Sequence, residues 1–198
     1  MTRKIFVLRH GETQFNAEQK LQGHCNSPLT AKGAAQAQGV AAQLKTHLAE
    51  QNFTVYSSPL GRAVQTAHII CETLSYCPTR VVEDPRLKEF SLGTWEQRTI
   101  PSLTLEHPTL LENNDWYLNA PQSETYDAVQ ARLTHWLSEI PESDNVVVVS
   151  HGLTGIALRG LLLGLSYEQA WTQDLPQDAF FIIENQSVTR VNCEVKTT

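Results

Sequence analysis

The sequence lacks long apolar runs. No stretch approaches the roughly 20 apolar residues that a membrane-spanning helix needs, and the apolar run at residues 5–8 stops at Arg9, too early for a signal peptide. The chain also lacks the excess of positive charge that favours nucleic acids or anionic membranes, because its formal net charge is −6. We therefore expect neither a membrane nor a nucleic acid as its partner.

Cysteine is scarce, and the sequence shows no paired cysteine spacing. The four cysteines of the chain favour a reduced, cytoplasmic compartment. Two of them, Cys71 at helical spacing and Cys193 at strand spacing, are predicted to be small core side chains. The sequence also lacks the Gly-x4-Gly-Lys-Ser/Thr loop that binds nucleoside triphosphates and the Gly-x-Gly-x-x-Gly turn that binds dinucleotides.

What is present is the composition of a globular domain, with 41% hydrophobic and 18% charged residues in 198. Strand and helix patterns alternate, which predicts a three-layer α/β/α sandwich with a mostly parallel central sheet, in one domain spanning residues 1–198. Residues 97–122 have weak periodicity and several prolines, so we interpret them as a variable cover inserted over one end of the sheet. The predicted strands are 5–8, 53–56, 81–82, 146–149, 179–183 and 187–195, and the predicted helices are 31–49, the segment starting at Pro59, 123–138 and 153–163.

Side chains suited to an anionic ligand and to nucleophilic catalysis follow the predicted strands. Arg9 and His10 come directly after the first strand, and His151 follows the four-valine strand. Arg62 lies in the first turn of a predicted helix, where we expect it to be exposed, and Glu89 lies in a loop after a strand. Ligands of open α/β sheets bind beyond the carboxyl ends of the strands, and arginine with histidine suits an anionic ligand and a nucleophilic imidazole.

These segments resemble those of the histidine phosphatase superfamily, in its phosphoglycerate-mutase-like branch. The resemblance runs from residue 5 to about 165 and keeps the family's order and spacing. The matching stretches are LRHGET at 8–13, Asn16, LQGHCNSPLTAKG at 21–33, YSSPLGRAVQTA at 56–67, LKEFSLGTWE at 87–96 and VVSHG at 148–152.

The resemblance implies a nucleophile and a proton donor. His10 would attack phosphorus and become a phosphohistidine. Glu89 would protonate the leaving oxygen and then accept a proton from the attacking water. Glu12 and Glu96 belong to the same motifs, and we expect them to orient loops without taking part in the chemistry.

The resemblance also implies a set of phosphate-binding residues. Arg9, Arg62 and His151 would hold the equatorial oxygens of the phosphoryl group. Asn16 would add a neutral hydrogen bond, and Gly23 belongs to the same phosphate-binding set. We expect neither a cofactor nor a metal ion, because two guanidinium groups and an imidazole supply the charge stabilisation.

Three functions remain in competition. The preferred one is a metal-independent phosphomonoesterase that acts on a small phosphorylated metabolite. The alternatives are a cofactor-dependent phosphoglycerate mutase and a non-catalytic phosphate-binding or interaction module. The mutases of the family close the site with inserted segments and a C-terminal tail, and the three residues after Val195 leave little to do so, which favours the phosphatase. A homodimer is left open.

The cover suggests a substrate preference. Between residues 96 and 124, which include the cover and its two ends, the chain has one arginine, Arg98, and five acids. The acids are Glu96, Glu106, Glu112, Asp115 and Glu124. We expect this charge to disfavour bisphosphates. Three aromatic residues of this region would pack either on a ring of the substrate or in a small core of their own, and we leave both readings open. They are Trp95, Trp116 and Tyr117.

Overall fold

Six strands form one mixed sheet in the computed structural model, which describes residues 3–49, 51–142 and 144–195. The sheet order is β3-β2-β4-β1-β5-β6. The first four strands run parallel to one another, and β5 pairs antiparallel with both β1 and β6. The predicted α/β class with a mostly parallel sheet is therefore confirmed. The strand bounds are β1 Ile5–Arg9, β2 Phe53–Ser57, β3 Val82–Glu83, β4 Asn145–Ser150, β5 Ala179–Glu184 and β6 Ser187–Asn192.

Five of the seven helices in the described part of the chain begin at a residue whose side chain caps the first turn, and the helices that follow β2 and β4 do not. The hydroxyls of Thr30 and Thr125 each accept a hydrogen bond from a backbone N–H of the first helical turn. The helix after β2 was predicted to start at Pro59 behind a serine, which is wrong: it starts at Gly61, and Ser58 instead accepts from the backbone of Leu60. The helix bounds are α1 Gln14–Ala17, α2 Ala31–Leu48, α3 Gly61–Leu74, α4 Ile100–Glu106, α5 Tyr126–Glu139, α6 Gly152–Leu163 and α7 Tyr167–Ala170.

Helices cover both faces of the sheet because successive side chains of the central strands point in opposite directions. In β1, Phe6 and Leu8 pack with α2 and α3, whereas Ile5 and Val7 pack with α5 and α6. The valines of β4 divide in the same way between the two cores. Cys71 and Cys193 are buried in the core formed with α2 and α3, as expected. These two cores hold the ends of the parallel strands in fixed positions.

The cover consists of α4 and short 3-10 turns. Trp116 of the cover and Trp95, which lies just before it, form part of the core beside α5 and α6. Trp95 and Trp116 are buried, at 5% and 6% exposure. The hairpin between β5 and β6 turns at Asn185 and Gln186, which both have positive φ angles of 50° and 59°. Within the described ranges, no helix is both long and apolar enough to cross a membrane.

Candidate active site

The carboxyl ends of the parallel strands bring the predicted site residues together. β1 ends at Arg9 and is followed by His10, and its neighbour β4 is followed by His151. The backbone N–H of His10 donates to the carbonyl of Ser150 at 3.0 Å, which fixes the two histidines side by side. Their ring centroids lie 5.2 Å apart in an edge-on arrangement. Arg62 and Glu89 reach the same end of the sheet after β2 and β3.

His10 is held as a neutral imidazole with a defined tautomer. Its Nδ1 donates to the carbonyl of Gly11 at 2.8 Å, so that the lone pair lies on Nε2. Burial, followed by the charges of Arg62 and Arg9, holds the pKa of His10 well below 6.5. An uncharged nitrogen with a free lone pair is the form of histidine that acts as a nucleophile.

The Arg62 guanidinium is buried, with the residue at 1% exposure, which corrects the prediction that it is exposed. Its Nη1 and Nη2 donate to the carbonyls of Cys25 and Gly23 at 2.9 and 2.8 Å. Its Nε donates to His10 Nε2 at 3.1 Å. Burial lowers the pKa of Arg62 to about 10, which leaves it charged at neutral pH. The two carbonyls thus hold a cation against the Nε2 atom of His10.

Arg9 supplies a second buried cation. Its Nη1 donates to the backbone carbonyl of Leu175, whereas its Nε is buried without a hydrogen-bond partner among the described residues. Burial lowers the pKa of Arg9, and the charge of Glu89 opposes that shift. A buried N–H without a partner is rare in proteins, so the Nε atom is a candidate donor to an anionic ligand.

His151 lies beside His10 and is paired with Ser58. Its Nε2 lies 2.7 Å from the Ser58 hydroxyl, which also accepts from the backbone of Leu60 at 3.2 Å. Nε2 and the serine oxygen share one hydrogen, which either of the two atoms can donate. The Nδ1 atom of His151 is buried and has no partner in the described part of the chain. Burial and the charge of Arg62 hold the pKa of His151 well below 6.5.

Glu89 is fixed at the N-terminus of α6. Its Oε1 accepts from the backbone N–H groups of Phe90 and Thr154 at 3.0 and 2.9 Å, and its Oε2 accepts from that of Leu153 at 3.1 Å. A carboxylate suits this position because the N–H groups of the first helical turn have no intrahelical acceptor. The carbonyl of Glu89 also accepts from His24 at 2.8 Å, which fixes the backbone of the loop.

Asn16 and Gly23 complete the predicted set. The Asn16 Oδ1 accepts from the backbone and hydroxyl of Thr13 and from Gln177 Nε2, each at 3.1 Å. Because these donors occupy Oδ1, the amide NH2 group is the part suited to a ligand oxygen. Gly23 has a φ of +49°, and a Cβ there would lie 2.1 Å from a carboxylate oxygen of Glu96. Glycine is therefore needed for the turn that brings its carbonyl to Arg62.

A cleft of about 200 Å³ opens between these residues and the cover. Arg9, His10, Asn16, Arg62 and Glu89 line it, whereas His151 does not. Lys20 also lines the cleft, and its Nζ lies 2.6 Å from a carboxylate oxygen of Glu18. The apolar part of the wall consists of Leu21, Leu92, Ile100, Tyr117, Leu153 and Leu175.

The five acids of the cover do not line this cleft, which removes the basis for the expected effect of their charge. Glu106 pairs with Arg98, and Asp115 accepts from the hydroxyl of Tyr167 at 2.6 Å. Glu96 accepts from the backbone of His24 at 3.0 Å and so orients a loop, as expected. Of the three aromatic residues considered as a substrate platform, two are in the core and Tyr117 alone lines the cleft.

A family model described as histidine phosphatase superfamily (branch 1) matches residues 5–195. The chain belongs to the histidine phosphatase superfamily. The probable phosphoglycerate mutase GpmB of Escherichia fergusonii is 36% identical over 196 residues, covering 96% of this chain and 84% of the relative. The resemblance found in the motifs is thus confirmed over nearly the whole chain.

Two solved structures of phosphatases have the same fold. The alpha-ribazole phosphatase of Shigella flexneri matches with a TM-score of 0.75 at 28% identity, covering 96% of this chain and 95% of that one. A mycobacterial glucosyl-3-phosphoglycerate phosphatase, in complex with VO3, matches with a TM-score of 0.74 at 27% identity, covering 91% and 90%. The relatives of this superfamily member therefore carry both mutase and phosphatase names.

Residues 173–177, which we call the strap, support the site and were not predicted to belong to it. The Leu175 carbonyl of the strap accepts from Arg9, and its Gln177 side chain donates to the carbonyl of His10 at 3.3 Å and to Asn16. The strap is anchored by Arg159, a buried residue of α6 whose Nη2 donates to the carbonyl of Asp174 at 2.6 Å. Backbone carbonyls carry no sequence signature, so nothing in the motifs pointed to this segment.

Proposed function

We propose that this superfamily member is a metal-independent phosphomonoesterase that forms a phosphohistidine on His10. The observation that carries the proposal is the hydrogen bond from His10 Nδ1 to the Gly11 carbonyl, together with the contact between Nε2 and the Arg62 guanidinium. The first bond directs the lone pair of a neutral imidazole to Nε2. The second puts a fixed cation at the atom where phosphorus would bind.

In the first step, the lone pair of His10 Nε2 forms a bond to phosphorus, and the ester P–O bond breaks with its electron pair on the leaving oxygen. The Nε donor of Arg62 moves from the imidazole to a phosphoryl oxygen. Arg9 Nε, without a protein partner, supplies another donor. Fixed donors of this kind stabilise charge in the transition state without reorganising.

Glu89 is the proton donor of this step and the base of the next. Its carboxyl group lines the cleft and is held by backbone donors of α6. It gives its proton to the leaving oxygen, so that a neutral alcohol departs. Water then attacks phosphorus while Glu89 accepts its proton, the P–N bond breaks, and the electron pair returns to His10 Nε2. Inorganic phosphate is the second product.

The proposed substrate is a small metabolite with one phosphate and a partly apolar body. The apolar side chains of the cleft wall support this, and the charge of Lys20 at the rim is balanced by Glu18. A phosphoglycerate mutase remains the second candidate because of the name of the Escherichia fergusonii relative. A cytoplasmic location and a homodimer remain predictions.

The test is rapid-quench labelling with a ³²P-labelled phosphomonoester. We expect acid-labile label on the protein, absent from His10→Ala and present in the control His68→Ala, which removes an exposed histidine of α3. Release of inorganic phosphate with each turnover supports the phosphatase. Interconversion of 3- and 2-phosphoglycerate without phosphate release supports the mutase. Equal labelling of wild type and His10→Ala overturns the proposed nucleophile, and no labelling of wild type supports the non-catalytic module.

A further inference from the structure

A second cavity adjoins the catalytic cleft beneath the cover. Its volume is about 250 Å³, compared with about 200 Å³ for the cleft. Tyr117 and Leu175 line both cavities, so these two half-buried side chains form the partition between them.

Both sides of the partition are anchored. The Tyr117 ring stacks on the buried Trp116 ring, with centroids 3.8 Å apart and planes 23° from parallel. Burial raises the pKa of the Tyr117 hydroxyl, so the group stays neutral. Leu175 belongs to the strap, which Arg159 and Arg9 hold by two of its backbone carbonyls. The residues that the two cavities share are therefore an aromatic ring and an aliphatic side chain, each held in place by its neighbours.

The lining of the second cavity is neutral, in contrast to that of the cleft. Trp116, Trp171 and Ile156 give it an apolar wall, and Asn113 and Asn114 add amide groups. Among the described residues, no lysine, arginine, histidine or acid lines it. Such a surface suits a ring with hydroxyl or amide substituents, because a second phosphate would find no cation there to replace its hydration.

The volumes favour a ligand that occupies both cavities. Pockets for small molecules usually measure about 300–1,000 Å³. The cleft alone falls below that range, and the two cavities together fall within it. The phosphate must lie at the His10 end, since the cations are there, so the rest of the ligand is directed towards Tyr117.

We propose that the second cavity is a leaving-group subsite for phosphomonoesters whose alcohol is an uncharged, ring-bearing group with hydroxyl or amide substituents. This inference rests on the proposed function and specifies its substrate class. The phosphate binds at His10, the linking carbons pass Tyr117 and Leu175, and the ring lies against Trp116. The asparagine amides exchange hydrogen bonds with the polar groups of the ring.

The experiment compares two phosphomonoesters. The short one is glycerol phosphate, and the long, ring-bearing one is uridine 5′-monophosphate. Two changes at Asn114, an exposed residue of the second cavity, alter its charge and its volume: Asn114→Asp and Asn114→Trp. The matched control is Asn119→Asp, which adds the same charge at an exposed cover position that lines neither cavity. The kcat/KM values of both substrates are measured for all four proteins.

We expect wild type to prefer the uridine ester at least tenfold. Either change at Asn114 should lower that preference about tenfold, mainly through KM, and Asn119→Asp should leave it unchanged. The subsite is overturned if wild type has no preference for the long ester, or if the Asn114 variants change both substrates by the same factor. Turnover of p-nitrophenyl phosphate and labelling of His10 report the proposed function separately, so a failure of the subsite is distinguishable from a failure of the chemistry.

Discussion

Replacing Glu89 by glutamine separates its proposed chemical role from its structural one. The variant keeps the size of the side chain and loses the acidic proton of the carboxyl group. In the native protein, Oε1 accepts from Phe90 and Thr154, and Oε2 accepts from Leu153. A glutamine whose carbonyl oxygen takes the place of Oε1 retains the hydrogen bonds from Phe90 and Thr154. Its NH2 group then faces the N–H of Leu153, where two donors meet.

The structural cost follows from that one lost bond. A buried donor left without an acceptor costs about 1–3 kcal/mol. For a chain of this length, that corresponds to a decrease in Tm of about 2–12 °C. The variant should therefore fold. General acid–base groups contribute about 100- to 10,000-fold to rate, so kcat for glycerol phosphate should fall within that range.

The leaving group distinguishes acid catalysis from other effects of Glu89→Gln. p-Nitrophenolate is a stable anion and needs little protonation, so phosphorylation of His10 by p-nitrophenyl phosphate should remain fast. Hydrolysis of the phosphohistidine should slow, because water has lost its base. Stopped-flow absorbance should show a burst of one p-nitrophenol per site, followed by slow turnover.

The control is Glu124→Gln, which changes a carboxylate that binds Ser91 and Arg132 away from the cleft. It should retain most of the activity with both substrates. If Glu89→Gln loses the same factor with glycerol phosphate and in the p-nitrophenol burst, while its Tm stays within the range above, Glu89 is not the general acid.

Two further predictions concern the histidines. The pKa values of His10 and His151 are well below 6.5 in the folded protein, so below pH 6.5 the unfolded chain binds more protons and stability falls as pH falls. Each histidine should contribute about 1.4 kcal/mol per pH unit below about pH 6. Urea unfolding should show that the free energy of unfolding changes less between pH 7.5 and 5 in His10→Gln than in wild type. An equal pH dependence in the two proteins would contradict the assignment. Ser58→Ala removes the 2.7 Å contact to His151 and should lower kcat/KM about 10-fold, corresponding to a hydrogen bond worth about 1 kcal/mol or more. Ser57→Ala is the control, because the Ser57 hydroxyl is equally buried but donates to the backbone carbonyl of Ser58 and does not contact His151. An equal loss in both variants would rule out a specific role for the Ser58 hydroxyl.

The sequence allowed the central part of the site to be predicted because its residues follow strands in recognisable order. Arg9 ends β1, and His10 and His151 come directly after β1 and β4, so the parallel pairing of these strands makes the three positions neighbours. Short apolar runs identified those strands without ambiguity. The start of α3 was less predictable, because the serine before Pro59 bonds the backbone beyond it and delays the helix by two residues.

Burial and long-range support were not predictable in the same way. A charged residue in the first turn of a helix is usually solvated, so the burial of Arg62 depends on carbonyls of a distant loop. The strap contributes a carbonyl from Leu175, a group that every residue has. The acids of residues 96–124 suggested an electrostatic filter, yet none of them lines the cleft: Glu106 pairs with Arg98 and Asp115 with Tyr167. Composition gives the charge of a segment and not the direction of its side chains.

The central place of β1 in the sheet has a consequence for folding. The strand lies between β4 and β5, which come late in the chain, and Arg9 is bonded to a residue 166 positions away. During synthesis, the backbone N–H and C=O groups along both edges of β1 stay unpaired until both partner strands have emerged, which exposes an apolar segment prone to aggregation. Contacts of such long sequence separation also slow folding. Recovered activity in a refolding experiment would therefore report the pairing of β1 with its neighbours, since His10 and His151 come together only when β1 and β4 pair.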